Sequence, residues 1–420
     1  MAFAVRKFSS FLSLFSLLNI FVYVRCSYKT IGPCFYDNRN VSKLIKLDGV
    51  KVGYQRLLNL DDESKMYHVT TIAMKPTIFE IPNFLSDWEC EHLKDLAKSN
   101  GLKDSTPGHD MELYKKELKK AMMRAENENY VLHLPEFVDH FHEWDGNGDT
   151  SVTMDEVEVM IQRSNGLFFN ESEINEMFDA MDYSYFDDGQ MNEEEFNLLP
   201  FNKLDAYINF VHSNHPFHRP RYSNHTWLTR KIQNDVVLKK IYDRIIRLTQ
   251  LPRELVESSE NIQIVRYDVK GHYHAHYDST PNEIDKNIIC CHQNHDKNKD
   301  CKLCRIVTVL YYLNDVEHGG ETAFLIADNK TLDIKHLKSL KKMFNLSKHC
   351  HTSNLVIPAR KGTAIMWYNH AVDPTSGYLG DMDYHTIHGG CDVLKGHKWI
   401  ANLWINAPTK DNLYVPSIFL

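Results

Sequence analysis

The chain has 420 residues, 43% of them hydrophobic and 11% aromatic. That is enough to bury one large core and a smaller one, and too apolar for a disordered polypeptide. A formal net charge of −8 excludes a globally basic nucleic-acid binder.

At the N-terminus, Arg6 and Lys7 precede an uncharged, mostly apolar run from Phe8 to Val24. As a helix this run extends about 25 Å, at the short end for a bilayer core of roughly 30 Å. Residues 1–26 therefore read either as a cleaved signal peptide or as a signal-anchor, a membrane anchor with the body on the lumenal side. Both deliver the body to the secretory pathway. Nine cysteines, and Asn-x-Ser/Thr triplets at Asn40, Asn170, Asn224, Asn329 and Asn345, agree with an oxidising compartment.

Residues 27–77 show no clear periodicity and form an N-terminal lumenal segment, with a compact domain expected from Ile78. Ser86-Asp87-Trp88-Glu89 is a capping box, and Cys90, Leu93, Leu96 and Ala97 follow at helical spacing until Gly101 stops the helix. An acidic helical stretch, residues 108–200, then interrupts the domain. Within it Asp145, Asn147, Asp149, Ser151 and Glu156 occupy the oxygen-donor positions of an EF-hand loop, which predicts Ca²⁺ binding. Thr150 stands where the sharp turn ordinarily has glycine. A second loop from Asp182 holds two extra residues and offers a poorer set, Asp182, Asp188, Gln190 and Glu195. The alternative is a calcium-free helix pair whose acids are merely solvated.

The domain resumes at residue 215 with a helix in which Val237, Ile241, Ile245 and Leu248 share one face. From Asn261 the pattern changes to strands: Asn261–Asp278, Arg305–Leu313, Thr363–Tyr368 and Lys398–Ile405. Helices followed by many strands predict an α+β fold, a jelly roll with helices packed on it. Strand alternation puts His276 and Asp278 on one face, and a distant imidazole such as His388 would complete two histidines and a carboxylate, the facial set of non-haem Fe(II). His272 and His274 share that alternation, so the face alone does not single out the ligand. Lys398 shares a strand with the inward-facing Ile400, Asn402 and Trp404; a lysine there calls for an anion, which the distal carboxylate of a 2-oxo acid would supply. Tyr267, near the start of the same strand region as His276, is placed to donate a hydrogen bond to that carboxylate.

Cys290, Cys291, His292, His295, Cys301 and Cys304 allow either zinc or disulfides, and an oxidising lumen favours disulfides. The stretch Lys335–His349, rich in Lys and His with Leu337, Leu340 and Phe344 at helical spacing, reads as a solvated amphipathic helix or as a cover for an acidic peptide.

Several segments resemble those of the prolyl 4-hydroxylases: Phe84–Cys90, Leu248–Glu254, Gln263–Tyr267, His276-x-Asp278, Leu313–Val316, Gly319–Thr322, Gly362–Ala364 and the His388/Lys398 pair. An EF-hand pair after the first helix, with Asp383–Cys391 and Lys398–Asn402, resembles the transmembrane (endoplasmic reticulum) type in particular, over residues 78–408. The resemblance implies a double-stranded β-helix (jelly roll) dioxygenase core, 78–107 and 215–408, carrying an all-α EF-hand pair at 108–200. It implies Fe(II) on His276, Asp278 and His388, 2-oxoglutarate on Lys398 with Tyr267 and Tyr312 lining its pocket, and O2 and L-ascorbate as further requirements. It implies C4 hydroxylation of a proline-containing protein or peptide in the endoplasmic reticulum. Two rivals are a calcium-dependent binding protein with an inactive dioxygenase domain, and a dioxygenase acting on another residue.

Overall fold

The computed structural model describes residues 44–62, 64–102, 111–127, 129–186, 188–228, 235–281, 290–291, 302–330, 340–375 and 379–407. The run 1–26, the Asn40 triplet, His292, His295, Cys301 and Lys335–Lys338 lie outside these residues. Among the described residues no helix is long and apolar enough to cross a membrane.

Two antiparallel sheets carry the fold, their strands numbered here in chain order. They are β1 Gln55–Leu58, β2 Tyr67–Met74, β3 Thr77–Ile81, β4 Arg221–Tyr222, β5 Asn224–Trp227, β6 Gln263–Tyr267 and β7 His272–His276. Then come β8 Arg305–Tyr312, β9 Thr322–Phe324, β10 Leu355–Ile357, β11 Ala364–Tyr368, β12 His388–Gly390 and β13 Lys398–Asn406. The larger sheet runs β1-β2-β3-β11-β8-β13-β6-β5 and the smaller β10-β9-β12-β7-β4. Their facing sides share one apolar core, with Val265, Leu310, Trp367 and Ile400 from the larger sheet and Phe324 and Ile357 from the smaller. This α+β arrangement is the one expected of a jelly-roll core. The strands β1 and β2 extend the larger sheet, so the ordered domain begins well before Ile78.

The outer side of the larger sheet is covered by the helices Asp87–Ser99 and Val236–Thr249, whose Leu93, Ala97, Val237, Ile241 and Ile245 enter its core. Ser86 caps the first helix as expected: its hydroxyl accepts the Glu89 N–H, and Glu89 accepts the Ser86 N–H at 2.8 Å. Such a cap contributes about 1 kcal/mol. The Glu89 carboxylate also binds Arg244 of the second helix at 2.6 Å; both are buried, so the cap ties the helices together.

Two expectations, one about a strand and one about a helix, change. The stretch Asn261–Asp278 is two strands in two sheets, because the chain turns at Gly271, where an added Cβ would lie 2.6 Å from the Asp268 carbonyl oxygen. The stretch Lys335–His349 is not one helix in its described part. It is a 3-10 turn, Leu340–Phe344, and a short helix, Leu346–His349, with Asn345 and Leu346 buried.

The helical insert has its own core, built on Trp144, Phe169, Met177 and Phe196, and its helices continue to Asn214, past the expected end at 200. Its two loops meet in a two-residue antiparallel pairing, Val152 with Met191 and Thr153 with Gln190. Disulfides join Cys290 to Cys304 and Cys350 to Cys391. The first takes two cysteines of the candidate zinc cluster out of contention as metal ligands. Asn345 is buried, with its side-chain amide donating to Glu158 at 3.2 Å, which closes this triplet to glycosylation in the folded state.

Candidate active site

Register, more than sequence proximity, assembles the site. His388 on β12 pairs with His276 on β7, whereas Gly390 pairs with Tyr273. Three steps on β7 thus match two on β12, a bulge that reverses the alternation of side chains. Tyr273 and His276 consequently face the cavity together, their rings stacked at 3.6 Å. His272 and His274 are turned away: the His274 ring packs on Phe168 of the insert at 4.0 Å, and its Nδ1 accepts the Leu346 N–H at 3.0 Å. The plain alternation read from the sequence fails here, and the bulge separates the three histidines it left equivalent.

His276 Nε2 lies 3.7 Å from Asp278 Oδ1, and His388 Nε2 lies 3.6 Å from Asp278 Oδ2. One ligand atom from each of the three falls within 4.8 Å of the other two. His276 Nδ1 donates to the His274 carbonyl at 2.9 Å and His388 Nδ1 to the Thr386 carbonyl at 2.8 Å. A carbonyl only accepts, so each Nδ1 carries the proton and each Nε2 offers its lone pair to the centre. Burial, aided by His388, pushes the His276 pKa down to about 3 and keeps the ring neutral. Burial works to raise the Asp278 carboxyl, but His388, His276, Arg305 and a hydrogen bond from Thr308 outweigh it and hold the group below its ordinary value. Two neutral imidazoles and one carboxylate on one side of a cavity fit a divalent transition metal with open coordination positions.

Lys398 is the second charged element of the cavity. It is 2% exposed, and among the described residues no carboxylate lies within ion-pair distance of its Nζ. Desolvation lowers its pKa to about 7, against a weaker opposing pull from Glu321. A buried ammonium without an anion is costly, so the donor set fits a carboxylate ligand at this end. Gly390 leaves the approach open, since an added Cβ would stand 3.5 Å from Nζ.

Tyr267 does line the cavity, but from the larger sheet rather than from the strand of His276: it pairs directly with Lys398, whose Nζ is 5.5 Å from its ring. Tyr312 stands one step behind, its hydroxyl donating to Thr322 Oγ1 at 2.8 Å, and Thr322 faces the cavity in its place. Ile400, Asn402 and Trp404 line the wall as their alternation predicts, around about 260 Å³ of space. Sequence reasoning missed Arg221, Tyr273 and Arg305 at this cavity. Arg221 sits 4.9 Å from the Tyr273 ring, and Arg305 is held by Glu260 at 2.6 Å over the ring of Trp404. The paired carboxylate and guanidinium are ordinary surface types in a sequence, and nothing in their spacing marks them.

The loops of the insert lie apart from this cavity. In the first, Asp145 accepts backbone N–H groups from Gly148, Asp149 and Thr150, while Glu156 accepts those of Gly146 and Asn147 and closes a capping box with Thr153. Asp149 accepts from Ser151 N–H, and the Ser151 hydroxyl reaches Gln190 at 3.4 Å. Thr150 takes φ 71°, the left-handed turn that glycine would serve without strain. In the second loop Asp182 is turned to Lys203 at 3.1 Å, Asp188 accepts the Gln190 N–H, and Glu195 is engaged in a capping box with Asn192.

The segment 262–406, which holds every residue of the triad and Lys398, matches the family model of the 2OG-Fe(II) oxygenase superfamily. The transmembrane prolyl 4-hydroxylase of Mus musculus is 36% identical over 90% of this chain and 70% of its own length. That of Homo sapiens is 35% identical over 90% of this chain and 70% of its own length. A solved viral collagen prolyl hydroxylase from Paramecium bursaria Chlorella virus-1 shares 23% identity over 48% of this chain and 87% of its own, with a TM-score of 0.27, too low to add to the assignment. On the strength of the two mammalian relatives, the chain belongs to the transmembrane prolyl 4-hydroxylase family of 2OG-Fe(II) oxygenases.

Proposed function

We propose that the protein is a dioxygenase dependent on Fe(II) and 2-oxoglutarate that hydroxylates peptidyl proline at C4, with oxidative decarboxylation of 2-oxoglutarate to succinate and CO2. One observation carries the assignment to residues: His276, Asp278 and His388 converge in the same cavity as a buried, uncompensated Lys398. Bound Fe(II) supplies the activation of O2, one oxygen atom going to succinate and the other to the proline ring. L-ascorbate keeps the metal reduced.

The chain's own residues hold and orient. His276 and His388 present Nε2 because their Nδ1 protons are engaged, and Asp278 supplies the charge that favours a dication. Lys398 binds the distal carboxylate of 2-oxoglutarate, with the Tyr267 hydroxyl beside it as a hydrogen-bond donor. Apolar walls around Lys398, from Leu310, Trp367 and Ile400, exclude water and strengthen that ion pair. Tyr273, stacked on His276, and Arg305, over Trp404, line the same cavity and shape the space left for a substrate.

The insert is read as an EF-hand pair, with calcium in the first loop. The oxygens of Asp145, Asn147, Asp149, Ser151 and Glu156 gathered in one loop support that reading, whereas the turn of Asp182 to Lys203 weighs against the second loop. The names of the relatives support a membrane-bound protein, and the two disulfides support a catalytic body in an oxidising lumen, read here as that of the endoplasmic reticulum.

The test is mass spectrometry of proline-containing peptides incubated with enzyme, Fe(II), 2-oxoglutarate and ascorbate to place the added oxygen on a residue, with amino-acid analysis against 3- and 4-hydroxyproline standards to place it on a ring carbon. Oxygen at proline C4 supports the reading. Oxygen on another residue, or none with any peptide while metal is bound, overturns it in favour of one of the two rivals.

A further inference from the structure

Asp278 is reached by a chain of hydrogen bonds whose direction admits one solution. Trp367 Nε1–H, which only donates, meets Asn369 Oδ1 at 2.9 Å. That fixes the amide of Asn369, so its Nδ2 donates to Thr308 Oγ1 at 2.9 Å. With its oxygen accepting from Asn369, Thr308 places its own proton on Asp278 Oδ2 at 2.7 Å. All four residues are buried: Asn369 and Trp367 are 0% exposed, Thr308 1% and Asp278 4%.

The strands make the chain possible. Thr308 on β8 is the register partner of Trp367 on β11, and Asn369 follows directly after β11. The backbone of Asn369 is already held, its N–H on the Ile306 carbonyl and its carbonyl taking the Asp383 N–H. The main chain at Asp278 is held too: Arg305 donates to the Asp278 carbonyl at 3.3 Å, and Ser279 Oγ lies 2.7 Å from His370 Nε2. The segment therefore does not need Thr308 to keep its course. What Thr308 adds is control of the carboxylate torsion, through the hydrogen bond from its hydroxyl to Asp278 Oδ2.

We propose that Thr308 and Asn369 are positioning residues that fix the torsion of the Asp278 carboxylate, holding its oxygens toward His276 Nε2 and His388 Nε2 where the metal would sit. This rests on the reading of His276, Asp278 and His388 as the metal site. A flipped Asn369 would set two donors against each other at Trp367 and turn the Thr308 proton away from Asp278. Asn369 thus acts through Thr308 without touching the metal.

The experiment is an anaerobic titration of the full chain with Fe(II) in the presence of 2-oxoglutarate, followed by the charge-transfer absorption of the ternary complex, beside the melting temperature of metal-free protein. Thr308→Val keeps the shape and removes the proton; Fe(II) affinity is expected to fall about tenfold or more, with the absorption band shifted. Thr308→Ser restores the hydroxyl and is expected to recover most of the affinity. Asn369→Asp keeps the bond from Trp367 but removes the donor to Thr308, and is expected to weaken Fe(II) binding as Thr308→Val does. If Thr308→Val fails to fold, Asn369→Asp decides. Wild-type affinity and spectrum in Thr308→Val, or in Asn369→Asp where that decides, overturn the proposal. So does an equal loss in the Val and Ser variants, which would trace the effect to packing. An Asp278→Ala control separates the two levels: if it binds Fe(II) like the wild type, the site reading itself fails, whereas its loss beside an unaffected Thr308→Val sinks only the positioning role.

Discussion

The acidic loop at Asp145–Glu156 and the cavity around His276 both gather oxygen and nitrogen donors, and they do so by opposite means. The loop draws its donors from one short run, and its own backbone already satisfies them: three N–H groups turn to Asp145 and three to Glu156. The cavity draws His276 and His388 from strands far apart in the sequence and leaves their Nε2 atoms, Asp278 and Lys398 facing one space. A local motif is therefore easy to read and tolerant of an empty centre. A site built by register is hard to read, and its buried charge carries a cost that only a ligand relieves.

The largest expected effect follows from that cost. Asp278→Ala removes the one anionic ligand and should lower turnover by about a thousandfold or more, by the arithmetic of several kcal/mol of lost stabilisation; succinate release under saturating Fe(II) checks it. The same substitution logic in the loop, Asp145→Ala, should leave metal-site affinity nearly intact when Fe(II) is titrated.

Lys398 gives the next effect. Its pKa in the empty site is about 7, and 2-oxoglutarate binds the protonated form. Above pH 7 the empty site has lost its proton, so binding must take one up, and the KM for 2-oxoglutarate should rise up to about tenfold per pH unit. Below pH 7 the dependence should flatten. Measuring KM from pH 6 to 9 in wild type and in Lys398→Arg, whose guanidinium stays charged, checks the sign: the Arg variant should show no such rise.

Gly389 tests the register directly. An added Cβ would stand 2.4 Å from the Tyr273 carbonyl oxygen and 2.5 Å from Leu346 Cδ1. Gly389→Ala should therefore cost roughly 2 kcal/mol of stability and weaken Fe(II) binding, because β12 must move away from β7. Thermal melting and metal titration together read it. The smallest effect is in the loop: Thr150→Gly relieves a left-handed β-branched residue and should add about 1 kcal/mol to the stability of the insert, visible as a higher melting temperature with the cavity unchanged.

How much of this was legible varies with the same contrast. The capping box at Ser86, the face Val237–Leu248 and the inward set Lys398, Ile400, Asn402 and Trp404 follow from period and capping alone, because local sterics decide them. His276, Asp278, His388 and Lys398 were legible as residue types and as a resemblance, but the choice of His276 over His272 and His274 turns on a bulge that no local pattern announces. Tyr267 was placed on the wrong strand because the turn at Gly271 sends the chain from one sheet to the other. Thr308 and Asn369 were invisible: a threonine and an asparagine acquire their roles only when β8 and β11 lie side by side.

The most direct test of the central claim, that register assembles an oxygenase site from these residues, is the stoichiometry of succinate to 4-hydroxyproline with a proline-containing peptide. Wild type is run beside His276→Ala and His274→Ala. One succinate per hydroxyproline is expected in the wild type, with turnover abolished in His276→Ala and retained, coupled but at a reduced rate, in His274→Ala. Equal loss in both variants, or succinate formed without hydroxyproline, would contradict the claim.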